Sequence, residues 1–307
     1  MRSTKIGTRG STLAMAQANW VKQQLENHHP DLRVELIVIK TSGDRFLDTP
    51  IQAVGGKGMF VKEIEDALLR EDIDLAVHSM KDLPTELADG LMIAAVPARE
   101  DARDGIVSRT GGTLEALPQR AKIGTGSLRR KAQLLQYRSD LSLVPIRGNI
   151  DTRLRKLDDG ELDAIVLAVA GLKRIGRAER ITAYLSAEIC LNAVGQGALA
   201  IETRCEPGMR ELLAFMHDER SHLEVIAERA FLQRLGGGCH VPVGARATIE
   251  EETLKLSGVV AEPSGSLICR GQTCGPALRA GELGTELAVQ LIEQGADKIL
   301  NALSLVF

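Results

Sequence analysis

Aromatic residues are scarce in this chain: 3% of 307 positions, with one Trp, two Tyr and five Phe. Proteins that stack nucleic-acid bases need aromatic faces, so this composition argues against that class of function. An excess of one charge is also missing. Lys and Arg number 38 against 41 Asp and Glu, and a net charge of −3 gives no general attraction to nucleic acid or to an anionic membrane. No apolar run is long enough to span a bilayer, and the N-terminal MRSTKIGTRGS lacks the apolar core of a signal peptide. The five cysteines, at 190, 205, 239, 269 and 274, are odd in number and contain no CxxC pair, which argues against a disulfide framework and against structural zinc. The expectation is a cytoplasmic protein with reduced thiols and no bound metal. What is present is ordinary globular composition, 44% hydrophobic and 26% charged, in a length that suits two or three domains.

Strand-like and helical segments alternate over the first two thirds. KIGTRGSTLAMAQANWVKQQLENHH reads as strand, turn and helix, with Ser11 as the cap and Leu13, Ala16, Trp20 and Leu25 as an apolar stripe. RVELIVIK is a strand, TSGDRFLDTPIQAVGGKG a long mobile loop, FVKEIEDALLRE a helix, and DLAVHSM and LMIAAVPA two further strands. After AREDARD the pattern restarts: AKIGTGS runs into SLRRKAQLLQYR, LSLVPIRG into NIDTRLRKLDDG, and DAIVLAVAG into LKRIG. This predicts two mainly parallel sheets with right-handed crossovers, and GALAIETRC supplies a strand that returns to the first. The echo of IGTRGS in IGTGS suggests a duplicated design. From HDERSHLEVIAERAFLQRLGGG onward the pattern changes to a helix ending in glycines, three strands joined by turns, and closing helices. That is a small α+β domain with an antiparallel three-stranded sheet.

Ligands of open α/β sheets bind beyond the carboxyl ends of the strands. The strand-to-helix turns carry Thr8, Arg9 and Ser11; Ser79, Lys81 and Asp82; Thr125, Ser127, Arg129 and Arg130; Arg147 and Asn149; Lys173 and Arg174. Hydroxyls, helix starts and arginines recur, and all of them suit carboxylates or phosphates. In a chain of negative net charge this gathering of arginines predicts a cleft for a polyanionic ligand. VGGKGMF fails the P-loop pattern, because neither Ser nor Thr follows its Gly-Lys, so Lys57 and Phe60 are assigned to a lid loop instead. In HSMKDLP, Asp82 is either a helix cap or a carboxylate that handles protons and steadies a cation, while His78 reads as a core histidine. In LGGGCHVPVG, three glycines display the Cys239 thiol, whereas the other four cysteines read as packing or surface residues.

HSMKDLP, GTGSLRR, IRGNIDTRL, VLAVAGLKR, NAVGQGA and GGGCHVP, in this order, resemble the porphobilinogen deaminase (hydroxymethylbilane synthase) family over nearly the whole chain. The resemblance implies two lobes like those of periplasmic binding proteins, with mainly parallel sheets around a cleft, and a third domain that carries the cofactor. The boundaries fall at 1–98 with 198–216, at 99–197 and at 217–307. The resemblance also implies a transferase of tetrapyrrole biosynthesis. Four porphobilinogen molecules are joined head to tail with loss of ammonia, on a dipyrromethane cofactor held by a thioether to Cys239. Asp82 matches the catalytic aspartate. Arg9, Ser11, Lys81, Thr125, Ser127, Arg129, Arg130, Arg147, Arg153, Arg174 and Gln196 match positions that bind cofactor and substrate. The implied partners are porphobilinogen and its oligopyrrole intermediates, with no nucleic acid, membrane or metal, and the implied state is a monomer. Three positions depart from the family pattern: Gly126 where many members have Ser, His240 where Gln is usual, and Ala53 where some carry Lys. A non-catalytic two-lobed solute-binding protein is the alternative, which would need neither Cys239 nor a cytoplasmic location.

Overall fold

Residues 2–41, 61–236 and 241–304 are described by a computed structural model. The chain opens with β1 (Arg2–Thr8), α1 (Thr12–His28), β2 (Leu32–Val38), α2 (Lys62–Leu69), β3 (Leu75–Ser79) and β4 (Leu91–Ala95). It continues with β5 (Asp104–Ser108), β6 (Lys122–Gly124), α3 (Leu128–Tyr137), β7 (Ser142–Val144) and α4 (Ile150–Asp158). Then follow β8 (Ala164–Ala168), α5 (Val169–Arg174), β9 (Ala183–Tyr184), β10 (Leu199–Arg204), α6 (Met209–Leu213) and α7 (Glu219–Arg234). The last elements are β11 (Val243–Glu250), β12 (Thr253–Ala261), β13 (Ile268–Pro276), α8 (Ala280–Glu293) and α9 (Ala296–Ser304). Two compact units result, Met1–Glu100 with Ala198–His222 and Asp101–Gly197 with Leu223–Phe307.

In the first unit, β1, β2 and β3 pair in parallel, and β10 inserts antiparallel between β3 and β4, giving the order β2-β1-β3-β10-β4. GALAIETRC therefore does return to the first sheet. Ser11 caps α1 by accepting from the Ala14 N–H at 3.3 Å. The helix buries Ala18, Val21 and Leu25 against Ile6, Val34, Leu75 and Ile201 of the sheet. The expected stripe is corrected at three of its four positions. At 100° per residue, Ala16 and Trp20 lie on the opposite side of the helix from that buried face, Leu13 lies at its edge in line with Gln17, and Trp20 is 41% exposed. Leu25 alone of the four joins the core.

In the second unit the same layout recurs. The order is β7-β6-β8-β5-β9, with β6 parallel to β7 and β8, and β5 antiparallel to both its neighbours. Second, first and third strand stand side by side in each sheet, followed by one reversed strand and an edge strand. Each sheet is thus mainly parallel with one antiparallel insertion, and the echo of IGTRGS in IGTGS marks equivalent strand-to-helix turns. One face of this sheet packs Ile106, Ile123, Leu134 and Val166, and the other packs Val107, Leu157, Ile165 and Leu172. The same unit holds the antiparallel sheet β11-β12-β13. Phe231 of α7 and Leu287 of α8 close on it at Gly258, where a Cβ would stand 2.6 Å from the Phe231 ring. The helices also meet closely, since a Cβ at Gly284 would lie 2.2 Å from the Ala227 carbonyl oxygen.

Candidate active site

The carboxyl ends of β1 and β3, neighbours in the first sheet, open into a hollow. Arg9 and Ser11 reach it from the turn after β1, Gln17 from α1, His78 and Ser79 from the end of β3, and Asp82 from the short 3₁₀ turn Met80–Asp82. Buried Gln17 donates to the Ser79 hydroxyl at 2.9 Å and so fixes the helix to the strand end. Asp82 is exposed, which leaves its carboxylate open to a ligand, and Lys81 beside it is half-buried. The structure therefore brings together Arg9, Ser11 and Asp82, which are far apart in sequence. Gln17 is the member that sequence patterning misses. An uncharged polar side chain inside an apolar helix, six positions after the capping serine, was the available signal.

The second unit gathers the other predicted residues in the turns after β6, β7 and β8. Thr125 accepts from the Ser127 N–H at 3.2 Å, and Ser127 accepts from the Arg130 N–H at 3.4 Å as the cap of α3. Asn149 caps α4 by accepting from the Thr152 N–H at 2.9 Å. Arg153 donates to the Gly148 carbonyl at 2.8 Å and Arg174 to the Gly197 carbonyl at 2.6 Å. Arg147, after β7, is half-buried. Gly126 fits its turn tightly, because a Cβ there would stand 3.0 Å from the Ile146 carbonyl oxygen. A serine at this position would require the turn to shift by a few tenths of an ångström.

Arg129 and Arg130 sit at the expected strand-to-helix turn, yet they are 4% and 6% exposed and reach inward. Both meet Asp104, the first residue of β5, whose carboxylate is fully buried. Arg129 approaches one oxygen at 2.8 Å and Arg130 the other at 2.6 Å, while Gln196 donates to Asp104 at 2.9 Å and to the Ala102 carbonyl at 2.7 Å. Burial alone would push the Asp104 carboxyl up. The two guanidiniums and the Gln196 amide outweigh it and hold the group well below the usual carboxylate range. Two cations share one anion, so the hub carries a net positive charge, and the buried Nε of Arg130 has no hydrogen-bond partner among the described residues. Asp104 is the second residue that sequence patterning misses.

The Cys190 thiol lies 3.5 Å from Asp104, and burial pushes it up to about 12, so it stays protonated and packs as a neutral side chain. Cys269 is buried, and Cys205 and Cys274 are exposed. Lys57, Phe60, Ala53, Cys239 and His240 lie outside the described residues, as does most of the loop expected ahead of α2. Among the described residues no group of His, Cys, Asp and Glu could hold a metal ion, and no helix is long and apolar enough to cross a membrane.

Two family descriptions match this chain. "Porphobilinogen deaminase, dipyromethane cofactor binding domain" covers residues 4–209, and "Porphobilinogen deaminase, C-terminal domain" covers residues 222–293. Porphobilinogen deaminase of Syntrophotalea carbinolica is 52% identical over 98% of this chain and 96% of the relative. That of Syntrophobacter fumaroxidans is 50% identical, over 98% of this chain and 97% of the relative. That of Pelobacter propionicus is 51% identical over the same shares. Among solved structures, the methionine-binding protein MetQ overlaps with a TM-score of 0.45 at 15% identity, covering 74% of this chain and 94% of its own. Two α/β lobes and an antiparallel C-terminal sheet are thus joined to near full-length identity of about one half. The chain belongs to the porphobilinogen deaminase family, whose cofactor is dipyrromethane.

Proposed function

We propose that this chain condenses four porphobilinogen molecules head to tail on a dipyrromethane primer and releases hydroxymethylbilane by hydrolysis. It acts as a hydroxymethylbilane synthase, a transferase of tetrapyrrole biosynthesis. The observation that carries this reading is the exposed Asp82 carboxylate in the same strand-end hollow as Arg9 and Ser11. Porphobilinogen brings acetate and propionate groups together with an aminomethyl group, so it needs cationic donors and one anion. Arg9 and the Ser11 hydroxyl suit the carboxylates, and Asp82 suits the positive charge that develops when ammonia leaves the aminomethyl carbon. A pyrrole α-carbon then forms the new C–C bond. Its proton passes to the Asp82 carboxylate and on to ammonia, which leaves as ammonium.

The donor set of the second unit suits the acidic side chains of the cofactor. The Arg129–Arg130–Asp104 hub is net positive with one guanidinium N–H unsatisfied, and Arg147, Arg153, Arg174, Thr125 and Ser127 flank the same strand ends. When bound, the dipyrromethane supplies the pyrrole carbon from which the polymer grows. Cys239 is the proposed thioether anchor, with Lys81 and Gln196 as further binding residues and Lys57 and Phe60 on a covering loop. Three separate sheets support a division into domains at 1–98 with 198–216, 99–197 and 217–307. A cytoplasmic monomer that needs no metal completes the proposal.

Intact-mass spectrometry tests it. The purified protein is expected above its sequence mass by two linked pyrrole units, and Cys239→Ser at the bare mass. Asp82→Asn should keep the added mass and lose turnover by about 10²–10⁴-fold. A wild-type protein at bare mass that makes no bilane from porphobilinogen would overturn the function in favour of a solute-binding protein. Full turnover in Asp82→Asn would overturn the role of Asp82.

A further inference from the structure

The function proposed above makes no use of His78, and the structure gives this side chain unusual company. His78 stands opposite Ala200 in the β3–β10 ladder, and Glu202 stands opposite Ala76. Side chains two apart on a strand share a face, so His78 and Glu202 are diagonal neighbours on one face of the sheet. The His78 Nε2 lies 3.0 Å from a Glu202 carboxylate oxygen, with side-chain exposures of 6% and 0%. That is an ion-pair distance, although the two groups are not aligned as a hydrogen bond. Neither Glu202 oxygen has a hydrogen-bond partner among the described residues. From α2, Glu65 adds a second acid to the cluster. Its carboxyl is pushed up by burial first and by the charge of Glu202 second, while His78 opposes the rise.

A fully buried carboxylate without hydrogen bonds is costly as an isolated ion. Among the described residues, His78 is the one cation-forming side chain within ion-pair distance of Glu202. An imidazolium at that distance would leave the buried pair with no net charge. His78 also lines the hollow that holds Arg9 and Asp82, so whatever charge the ring carries is presented there. The groups facing the ring are Glu202 from β10, Glu65 from α2, and Arg9 and Asp82 around the hollow.

We propose that Glu202 is a positioning residue that keeps His78 an imidazolium, and that this ring is a second cationic wall of the hollow, beside Arg9, for a carboxylate of the incoming pyrrole. The proposal rests on the function assigned to the hollow, but its first test does not. Glu202 touches no ligand and acts only through the ring. His78 has a binding role that its core-like position in HSMKDLP conceals. The hollow then presents two cations to the acidic side chains of a pyrrole and one anion, Asp82, to its aminomethyl end.

Imidazole ¹⁵N NMR on the cofactor-loaded protein at pH 7 measures the charge of the ring without turnover, with His78→Gln identifying its signals. A doubly protonated His78 in the wild type and a singly protonated ring in Glu202→Gln are expected. A neutral ring in the wild type overturns the proposal, as does a ring that stays charged in Glu202→Gln. Steady-state kinetics give the second test. Glu202→Gln and His78→Gln should each raise the KM for porphobilinogen about tenfold, with kcat changed less than twofold. The double variant should go no further, and Glu202→Asp should recover part of the loss. An unchanged KM in His78→Gln refutes the binding role even if Glu202→Gln fails to fold. A wild-type protein that makes no bilane defeats the assigned function instead, and leaves the NMR result to decide the state of the pair.

Discussion

Replacing Asp104 by Asn tests the buried hub most directly. The substitution keeps the size of the side chain and removes its charge. Two guanidiniums, 4% and 6% exposed, would then face an amide where they now meet a carboxylate at 2.8 and 2.6 Å. Removing one member of a buried ion pair costs about 3–5 kcal/mol, because the remaining charge stays desolvated. That is a large share of the roughly 5–15 kcal/mol that holds a typical domain together. The chain carries its own reporters. Its single tryptophan, Trp20, lies in the first unit, and both tyrosines, Tyr137 and Tyr184, lie in the second. Urea unfolding followed at the two emissions should show the tyrosine transition of Asp104→Asn displaced to lower denaturant and the tryptophan transition much less affected. The effect has a defined pH sense. Because the folded-state carboxyl is held below its ordinary value, its stabilisation is fully present above the unfolded-state value of about 3.9 and is lost as pH falls below it. The gap between variant and wild type should therefore narrow on acidification below about pH 4. A displacement under about 1 kcal/mol at neutral pH, where a broken buried pair costs several times more, or a gap that widens in acid, would refute the assignment of Asp104 as the anchor of the arginine pair.

Gly284→Ala places a Cβ 2.2 Å from the Ala227 carbonyl oxygen, so the α7–α8 contact must open. Thermal unfolding should show a loss of about 1–3 kcal/mol from overpacking, despite the better helix propensity of alanine; a neutral or stabilised variant would contradict the close contact. Iodoacetamide at pH 8 should modify exposed Cys205 and Cys274 in the native protein and spare Cys190, whose thiol is buried and pushed up to about 12. Peptide mapping that finds native Cys190 labelled at a similar rate would refute its burial. Gly126→Ser should lower stability modestly, since its Cβ meets the Ile146 carbonyl at 3.0 Å, and calorimetry reads the change; a stabilised variant would show that the turn accommodates the side chain freely.

Local chemistry was legible in the sequence and long-range placement was not. Ser11 and Ser127 stand before helices with the free hydroxyls that caps require, and both cap. The return of residues 199–204 to the first sheet and the three antiparallel strands of the C-terminal region were also readable from their apolar runs and turns. The direction of an inserted strand has no compositional signature, so the antiparallel β5 and β10 do not emerge from an alternation of strands and helices. Asp104 in DARDGIV looks like one more surface acid. Its burial depends on β5 taking a central place between β8 and β9, with Arg129 and Arg130 arriving from another turn. The apolar pattern of α1 points to the wrong face because Trp20 weighs heavily in it, whereas the sheet receives Ala18, Val21 and Leu25. His78 and Glu202 become neighbours only through a ladder between distant segments.

The reversed strand of the first sheet sets the order in which this protein can be made. Strands β3 and β4 leave the ribosome early, but the segment that belongs between them, β10, follows only after the whole of β5–β9. Until then β3 and β4 lack the partner that fills the space between them, and unpaired strands invite association with other chains. The second lobe's sheet, β5–β9, comes from one continuous stretch and can close by itself. During synthesis, then, the lobe that is first in sequence finishes second. A nascent chain stalled once residue 197 has cleared the ribosome, with β10 still inside it, should hold a formed second sheet and an open first one, and that interval is where a chaperone would have most to protect.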